Sequence, residues 1–404
     1  MRAEIADGRA AVARFELLLS AAGQELLAGL PAAAVPRHEQ LRLGSSLRQR
    51  YPAELVAAAL GQHELRLAAR VKFSRAMEMY FTRPGLEQAS AEVVASHRAS
   101  RYAGSARVAD LCCGIGGDLL ALAGSHQVLA VDRDPLALRV ARANAEVCGV
   151  AAAVTAREAD VRDADLAGVD AVFTDPARRR GRGRLPTGAS EPPLAWCLGL
   201  AERVARVGIK TAPGVPRSAV PAGWELEFVA VGRDLKEATA WSPALATAAT
   251  RATVLPGGHA LTPAPGEPVP VRDPGEFLLD PNPAVTRAGL VAELARLTGC
   301  WQIDPKIAFL SCADAVATPF ARTLRVIDSG PWNERQLPAR LRALDVGAAD
   351  IRRRGLAGDV EGLHRRLRLT GTRRVTLVMT RVRDRPWGLV CVDVAEATDG
   401  PRSG

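Results

Sequence analysis

Residues 108–149 read VADLCCGIGGDLLALAGSHQVLAVDRDPLALRVARANAEVCG, and their order decides the fold. A short apolar run at 108–111 carries Asp110 and gives way to a turn crowded by Gly114, Gly116 and Gly117. Helix-like apolar spacing follows at 119–122, then a second apolar run at 128–131 closed by Asp132, then a longer helical pattern over 136–147. Strand, glycine turn, helix, strand is the repeating unit of a parallel sheet with crossover helices. Glycines in that turn let the backbone approach a ligand at the carboxyl end of the first strand, where doubly wound sheets bind nucleotides. Working outward, 171–173 and 204–209 supply further strand-like runs, so the pattern predicts an α/β domain over 96–255.

Asp132 stands 22 residues after Asp110, at the end of the next predicted strand. A carboxylate there can accept hydrogen bonds from both hydroxyls of a ribose. The dinucleotide fingerprint asks for Gly or Ala at its third position, and counting from Gly114 that position is Leu119. An acid beside the loop also repels a pyrophosphate but suits a ligand carrying a positive amino-acid group. S-adenosyl-L-methionine offers both a ribose and an ammonium. On these residues the segment resembles motif I of the class I S-adenosylmethionine-dependent methyltransferases. More narrowly, DLCCGIGGD resembles the D-x-x-C-G-x-G form found among nucleic-acid methyltransferases, including the trimethylguanosine synthase group. The resemblance implies a Rossmann-like domain that uses S-adenosyl-L-methionine. It places Asp110, Cys112, Gly114, Gly116 and Gly117 around the cofactor loop and Asp132 at the ribose. Asp160 falls where the family's third acid meets the adenine amino group, with Val161 packing nearby.

Residues 171–184, AVFTDPARRRGRGR, deliver Asp175 and Pro176 at a strand end. Amino-directed methyltransferases usually carry Asp, Asn or Ser there, then two prolines and an aromatic. The acid and the proline carbonyl hold an exocyclic amine toward the methyl group. Asp175 and Pro176 match that pattern and are the expected catalytic pair; Ala177 and Arg178 depart from it and leave the target atom open. Transfer in line to nitrogen needs positioning more than a strong base. Carbon methylation would call for a cysteine nucleophile, for which Cys197 is the candidate, although a buried packing cysteine is the simpler reading. Arg178, Arg179, Arg180, Arg182 and Arg184 follow the strand directly and read as a phosphate clamp.

The flanks differ in texture. Residues 1–95 lack strand signals and predict a helical N-terminal domain. Prolines and glycines from 256 to 274 mark a connector, expected to run to 334 with a helical segment over 284–297. From 335 to 396 an α+β pattern resembles the THUMP-like domain that follows the methyltransferase domain in a bacterial family, on VG…IRRRG…L.L.G…TL…TR. Domains of the THUMP type are associated with RNA. Arg352, Arg353 and Arg354, with Arg365, Arg366, Arg373 and Arg374, are the expected phosphate contacts.

Charge supports that reading. The chain's 404 residues carry a net charge of +9, and between Arg335 and Arg385 alone 14 arginines stand against five acids. Such a patch suits a polyanion, most simply nucleic acid, and with the resemblances above the expected partner is RNA, either tRNA or rRNA. Mean hydropathy is +0.02 and no apolar run is long enough for a membrane span. The acids near Met1 do not fit a signal peptide, so the chain is expected in the cytoplasm. Seven scattered cysteines and six histidines show neither a disulfide framework nor ligand spacing, so no metal is expected. The leading expectation is an RNA methyltransferase acting on an exocyclic amine; methylation of a protein or small molecule and non-catalytic RNA binding stand as alternatives.

Overall fold

A computed structural model of the chain describes residues 2–177, 179, 180, 183, 184 and 190–394. They form two compact units, one of Met1–Glu225 with Ala238–Thr247, the other of Leu226–Glu237 with Ala248–Gly404.

The first unit opens with helices α1 (Arg2–Leu19), α2 (Ala21–Ala28), α3 (Arg37–Leu47), α4 (Ala53–Ala69), α5 (Arg83–Gln88) and α6 (Glu92–Ser100). Then come β1 (Arg107–Leu111), α7 (Gly117–Ala123), β2 (Gln127–Asp132), α8 (Pro135–Val147), β3 (Val154–Glu158), β4 (Ala171–Thr174) and β5 (Arg206–Thr211). The five strands lie parallel in the order β3-β2-β1-β4-β5, and residues 238–241 pair antiparallel with β5. Burial on both faces explains why β1, β2 and β4 read as continuous apolar runs. Asp134 caps α8 by accepting from the backbone N–H of Leu136 and Ala137, and Pro135 fits the first helical position, where no donor is needed.

The helices before 95 do not close a core of their own. Phe15, Leu18, Val56 and Tyr80 share one apolar cluster with Val140 and Ala143 of α8 and with Ile115 of the glycine turn. Asn144, fully buried, braces the junction. Its Oδ1 accepts from Tyr80 N–H at 2.7 Å, and its Nδ2 donates to the carbonyls of Tyr80 and Ile115 at 3.0 Å each. A boundary drawn at residue 95 therefore cuts through packed side chains. α8 is amphipathic on two faces, and its second face belongs to the N-terminal helices.

In the second unit the expected connector is corrected. Phe277–Pro281, Trp301–Gln302, Leu310–Cys312 and Ala321–Pro331 are strands of one seven-stranded sheet that also holds Val346–Arg353, Arg373–Val382 and Arg385–Asp393. The expected helix over 284–297 is two helices, Pro283–Ala288 and Val291–Thr298, separated where Gly289 takes a left-handed conformation. The segment containing IRRRG is an edge strand parallel to its neighbour, and the helix Val360–Leu367 is the crossover between them. That helix packs Leu363 and Leu367 onto Val375 and Leu377. Among the described residues no helix is long and apolar enough to cross a membrane.

Candidate active site

Parallel pairing puts the carboxyl ends of β1, β2 and β4 side by side, so Asp110, Asp132 and Asp175 come to one edge of the sheet. A cavity of about 600 Å³ opens there. It is lined by Cys112, Gly114, Gly117, Asp160, Val161 and Pro176 besides the three acids. Every expected cofactor-loop and catalytic position except Gly116 thus meets in one space. Residues Thr82, Pro84, Gly85, Glu87, Gln88 and Ala89 form a further wall that sequence spacing does not assign to the site. Lys72 holds that wall in place: its ammonium donates to the carbonyls of Leu86, Glu87 and Ala89 at 2.7, 3.2 and 2.9 Å.

The glycines do different jobs. Gly116 has φ +93° and caps α7 from the left-handed region, where an L side chain is strained. Gly114, at φ +55°, faces open space. Gly117 is small for packing: a β-carbon there would sit 3.2 Å from that of Ala89 and 3.4 Å from the Ser90 backbone. Cys112 takes φ 64° without being glycine, a strained conformation of the kind that concentrates at ligand sites.

Burial raises the pKa of two of the acids, Asp132 and Asp110. Asp132 accepts from Gly114 N–H at 2.8 Å and Asp134 N–H at 2.9 Å; burial raises its pKa while these amides oppose the rise. Asp110 is 1% exposed, and neither of its oxygens has a hydrogen-bond partner. Burial, followed by the nearby Asp175 charge, pushes it up to about 7 against the pull of Arg98 and Lys210. Asp160 accepts from Arg162 N–H and pairs with its guanidinium, which also reaches Glu191. Glu191 in turn pairs its backbone with Ala177 in both directions, at 2.9 and 2.8 Å. The thiols are poor nucleophiles: burial pushes Cys197 up to about 12 and raises Cys112 well beyond its ordinary value.

Behind Asp175 lies a buried polar cluster that no local spacing announces. Lys210 of β5 donates to Asp175 Oδ2 at 2.7 Å and to Ser90 Oγ at 3.1 Å. Ser90 also meets Asp118 Oδ2 at 3.0 Å and Arg98 Nη1 at 3.3 Å, and Arg98 and Asp118 form an ion pair. The one cue in the sequence is scarcity: Lys210 is one of only four lysines among 53 basic residues.

Comparison with known proteins agrees with this geometry. The family model of a methyltransferase domain matches residues 108–177, one described as THUMP domain-like matches 321–392, and a domain of unknown function matches 11–69. An uncharacterized S-adenosylmethionine-dependent methyltransferase of Mycobacterium tuberculosis is 38% identical over 313 residues, 75% of this chain and 84% of that one. The chain belongs to the S-adenosylmethionine-dependent methyltransferases. A putative methyltransferase from Porphyromonas gingivalis W83 shares the fold, with a TM-score of 0.68 at 19% identity over 89% of this chain and 99% of the other.

The arginines of the methyltransferase divide into engaged and exposed. Arg178 lies outside the described residues, and of Arg179 and Arg180 only the backbone is described, paired antiparallel with Arg184 and Gly183. Arg354 turns inward. It forms an ion pair with Asp280 at 2.9 Å, donates to the Ala308 carbonyl at 2.9 Å, and lies 4.7 Å over the Phe309 ring. Its expected phosphate contact is corrected on that ground, since the guanidinium is occupied by the fold. Arg353 is exposed and donates to the Gly358 carbonyl at 2.6 Å, while Arg352, Arg365 and Arg373 are exposed. Arg366 and Arg374 form exposed pairs with Glu334 and Asp350, weak enough to exchange for another anion. Among the described residues no group of three or more His, Cys, Asp or Glu could hold a metal.

Proposed function

We propose that this methyltransferase acts in the cytoplasm on structured RNA, tRNA or rRNA, and methylates an exocyclic amine of a base. The observation that carries the reading is the meeting of Asp175 and Pro176 with the cofactor-loop residues in one cavity. The cavity fits S-adenosyl-L-methionine on its own terms. A buried carboxylate without a hydrogen-bond partner, Asp110, awaits a positive group, and an acidic surround suits a sulfonium and an ammonium. Asp132, oriented by two backbone amides, has lone pairs left for the ribose hydroxyls. Asp160 and Val161 would flank the adenine.

When bound, the cofactor supplies an electrophilic methyl group. The chain's residues then have to hold the acceptor in line and dry, and alignment of that kind accounts for several kcal/mol of a transfer barrier. Asp175 accepts one N–H of the amine and the Pro176 carbonyl the other, so that the nitrogen lone pair faces the methyl group. Asp175 would take the amine's proton as the methyl carbon passes from sulfur, which keeps the electron pair of the broken S–C bond, to the nitrogen. Cys197 takes no part, because it is fully buried and does not line the cavity.

RNA is supported by the excess of arginine after residue 335 and by the THUMP domain-like match. The test is incubation with radiolabelled S-adenosyl-L-methionine and total RNA from a strain lacking the gene, with Asp175→Ala alongside. Label in tRNA or rRNA that vanishes in the variant is the expected result. Label in protein or in small molecules, with RNA unlabelled, would overturn the choice of acceptor.

A further inference from the structure

Lys210 has 7% of its side chain exposed, and a lysine is almost never so buried unless it is paired. Its partner is Asp175, the residue assigned to the acceptor, at 2.7 Å. The chain otherwise uses arginine for nearly all of its 53 basic positions. A lysine suits this place because its ammonium is a compact point charge with several donors that can meet oxygens on different elements. Here those oxygens belong to Asp175 at the end of β4 and to Ser90 in the segment between α5 and α6.

Ser90 fixes the direction of the whole cluster. A hydroxyl has one proton to give and two lone pairs to accept with. Lys210 and Arg98 can only donate, at 3.1 and 3.3 Å, so they take the lone pairs, and the proton must go to Asp118 at 3.0 Å. All three capacities are used, so the hydroxyl has no alternative orientation that keeps its partners. Asp118 is in the first turn of α7, directly behind the glycine turn, and its ion pair with Arg98 ties that turn to α6. The cluster therefore runs from the cofactor loop to Asp175 through Ser90 and Lys210.

We propose that Lys210 is a positioning residue for methyl transfer, holding Asp175 by Oδ2 so that Oδ1 is the oxygen presented to the acceptor, with Ser90, Arg98 and Asp118 as its anchor. The proposal rests on the assignment of Asp175 given above. A carboxylate on a short side chain can turn about two bonds. Misplacement by about 1 Å at a reacting centre costs roughly 100-fold in rate. The ribose-directed Asp132 is held by the amides of Gly114 and Asp134 instead, so the effect belongs in kcat and not in cofactor affinity.

The experiment compares Lys210→Met, Lys210→Arg and Ser90→Ala with wild type. Steady-state transfer to RNA, cofactor affinity by calorimetry, and a crystal structure of each with S-adenosylhomocysteine are measured. Lys210→Met is expected to lower kcat by about 100-fold, with KM for RNA and cofactor Kd within about threefold, and to show Asp175 turned or in more than one conformer. Lys210→Arg, which keeps the ion pair, should recover all but about tenfold. Ser90→Ala, which keeps the pair but frees the lysine, should fall between them, and it carries the test if Lys210→Met does not fold. An unchanged kcat, or a loss appearing only in cofactor Kd, overturns the proposal. If wild type labels no RNA, the acceptor assignment fails, and the crystal structures still decide: Asp175 in a single unchanged conformer without Lys210 overturns the positioning role.

Discussion

Asp110 in the first unit and Arg354 in the second are both charged side chains taken largely out of water, and the fold treats them in opposite ways. Arg354 is given an acid, a carbonyl and an aromatic face. Asp110 is given no hydrogen bond at all. Burial works against the charged form of each, raising Asp110 to about 7 and lowering Arg354 from its ordinary value. On the reading proposed above, Arg354 is engaged by its own fold, whereas Asp110, buried without a partner, is open to a positive group that arrives later. The rest of the basic sheet follows Arg354, with Arg322, Arg340 and Arg374 matched to Asp393, Asp328 and Asp350, whereas Asp110 differs even from its pocket neighbours Asp132, Asp160 and Asp175, each of which has a partner. Counting charges along a chain does not distinguish the two cases.

Replacing Asp110 tests the comparison most severely. Its pKa is raised from 3.8 unfolded to about 7 folded, so the native state binds the proton more tightly. That proton contributes stability in full below about pH 4, and the contribution is lost progressively as pH rises toward 7 and is gone above it. Asp110→Asn removes the titration. The variant is therefore expected to match wild type near pH 4 and to exceed it at pH 8 by a few kcal/mol, read as the difference between urea unfolding curves across that range. Saturating cofactor should narrow the gap at pH 8, because its ammonium stabilises the ionised acid in wild type alone. A difference that does not change with pH would show that folding leaves the Asp110 pKa where it is in the unfolded chain, and the comparison with Arg354 would fail.

Arg354→Ala is the counterpart in the second unit. It leaves Asp280, 6% exposed, with Arg233 as its remaining ion-pair partner, and is expected to cost about 3 kcal/mol of stability while RNA affinity per folded molecule is unchanged. Loss of RNA affinity at full stability would return Arg354 to the phosphate-binding surface. Asp132→Ala is expected to weaken cofactor binding by about 2–3 kcal/mol, on the order of 100-fold in Kd by calorimetry, since the ribose loses a charged acceptor. The thermal unfolding of the unliganded protein should move much less, because the amides of Gly114 and Asp134 face the cavity edge and can turn to water.

What the sequence makes legible is local. DLCCGIGGD and Asp132 lie within one strand–helix–strand unit, so apolar period and glycine position are enough to place them. The cluster of Lys210, Ser90, Arg98 and Asp118 joins residues up to 120 positions apart, as in the Lys210–Ser90 hydrogen bond, and no spacing rule connects such pairs. The same holds for the wall at residues 82–89, which reads as the tail of a helical domain because its partners lie on another part of the chain. Strands from 277 to 331 escape for a different reason. They alternate with short helices and prolines, and Leu310–Cys312 is too short to show a period of two. Gly117 falls in the turn as its sequence position suggests, yet its smallness answers to Ala89 and Ser90, neighbours visible only in three dimensions.

The exposed arginines offer the smallest effect and the finest cut through the comparison. Arg352, Arg365 and Arg373 are exposed and form no ion pair with a described residue, so they are the members of the basic set least engaged by the fold. Removing them together, Arg352→Ala with Arg365→Ala and Arg373→Ala, should leave the stability of the protein within about 0.5 kcal/mol of wild type for each site. Each phosphate that is no longer neutralised flattens the dependence of log affinity on log salt by about 0.7 to 0.9. The triple variant should therefore lose about 2 to 3 units of slope, seen by titrating labelled RNA between about 50 and 200 mM salt. Catalysis at saturating RNA should be unaffected, because none of the three lines the pocket. An unchanged slope would mean that the excess of arginine after residue 335 serves the fold alone, as Arg354 does, and the contrast between the two units would then be one of architecture on one side and chemistry on the other.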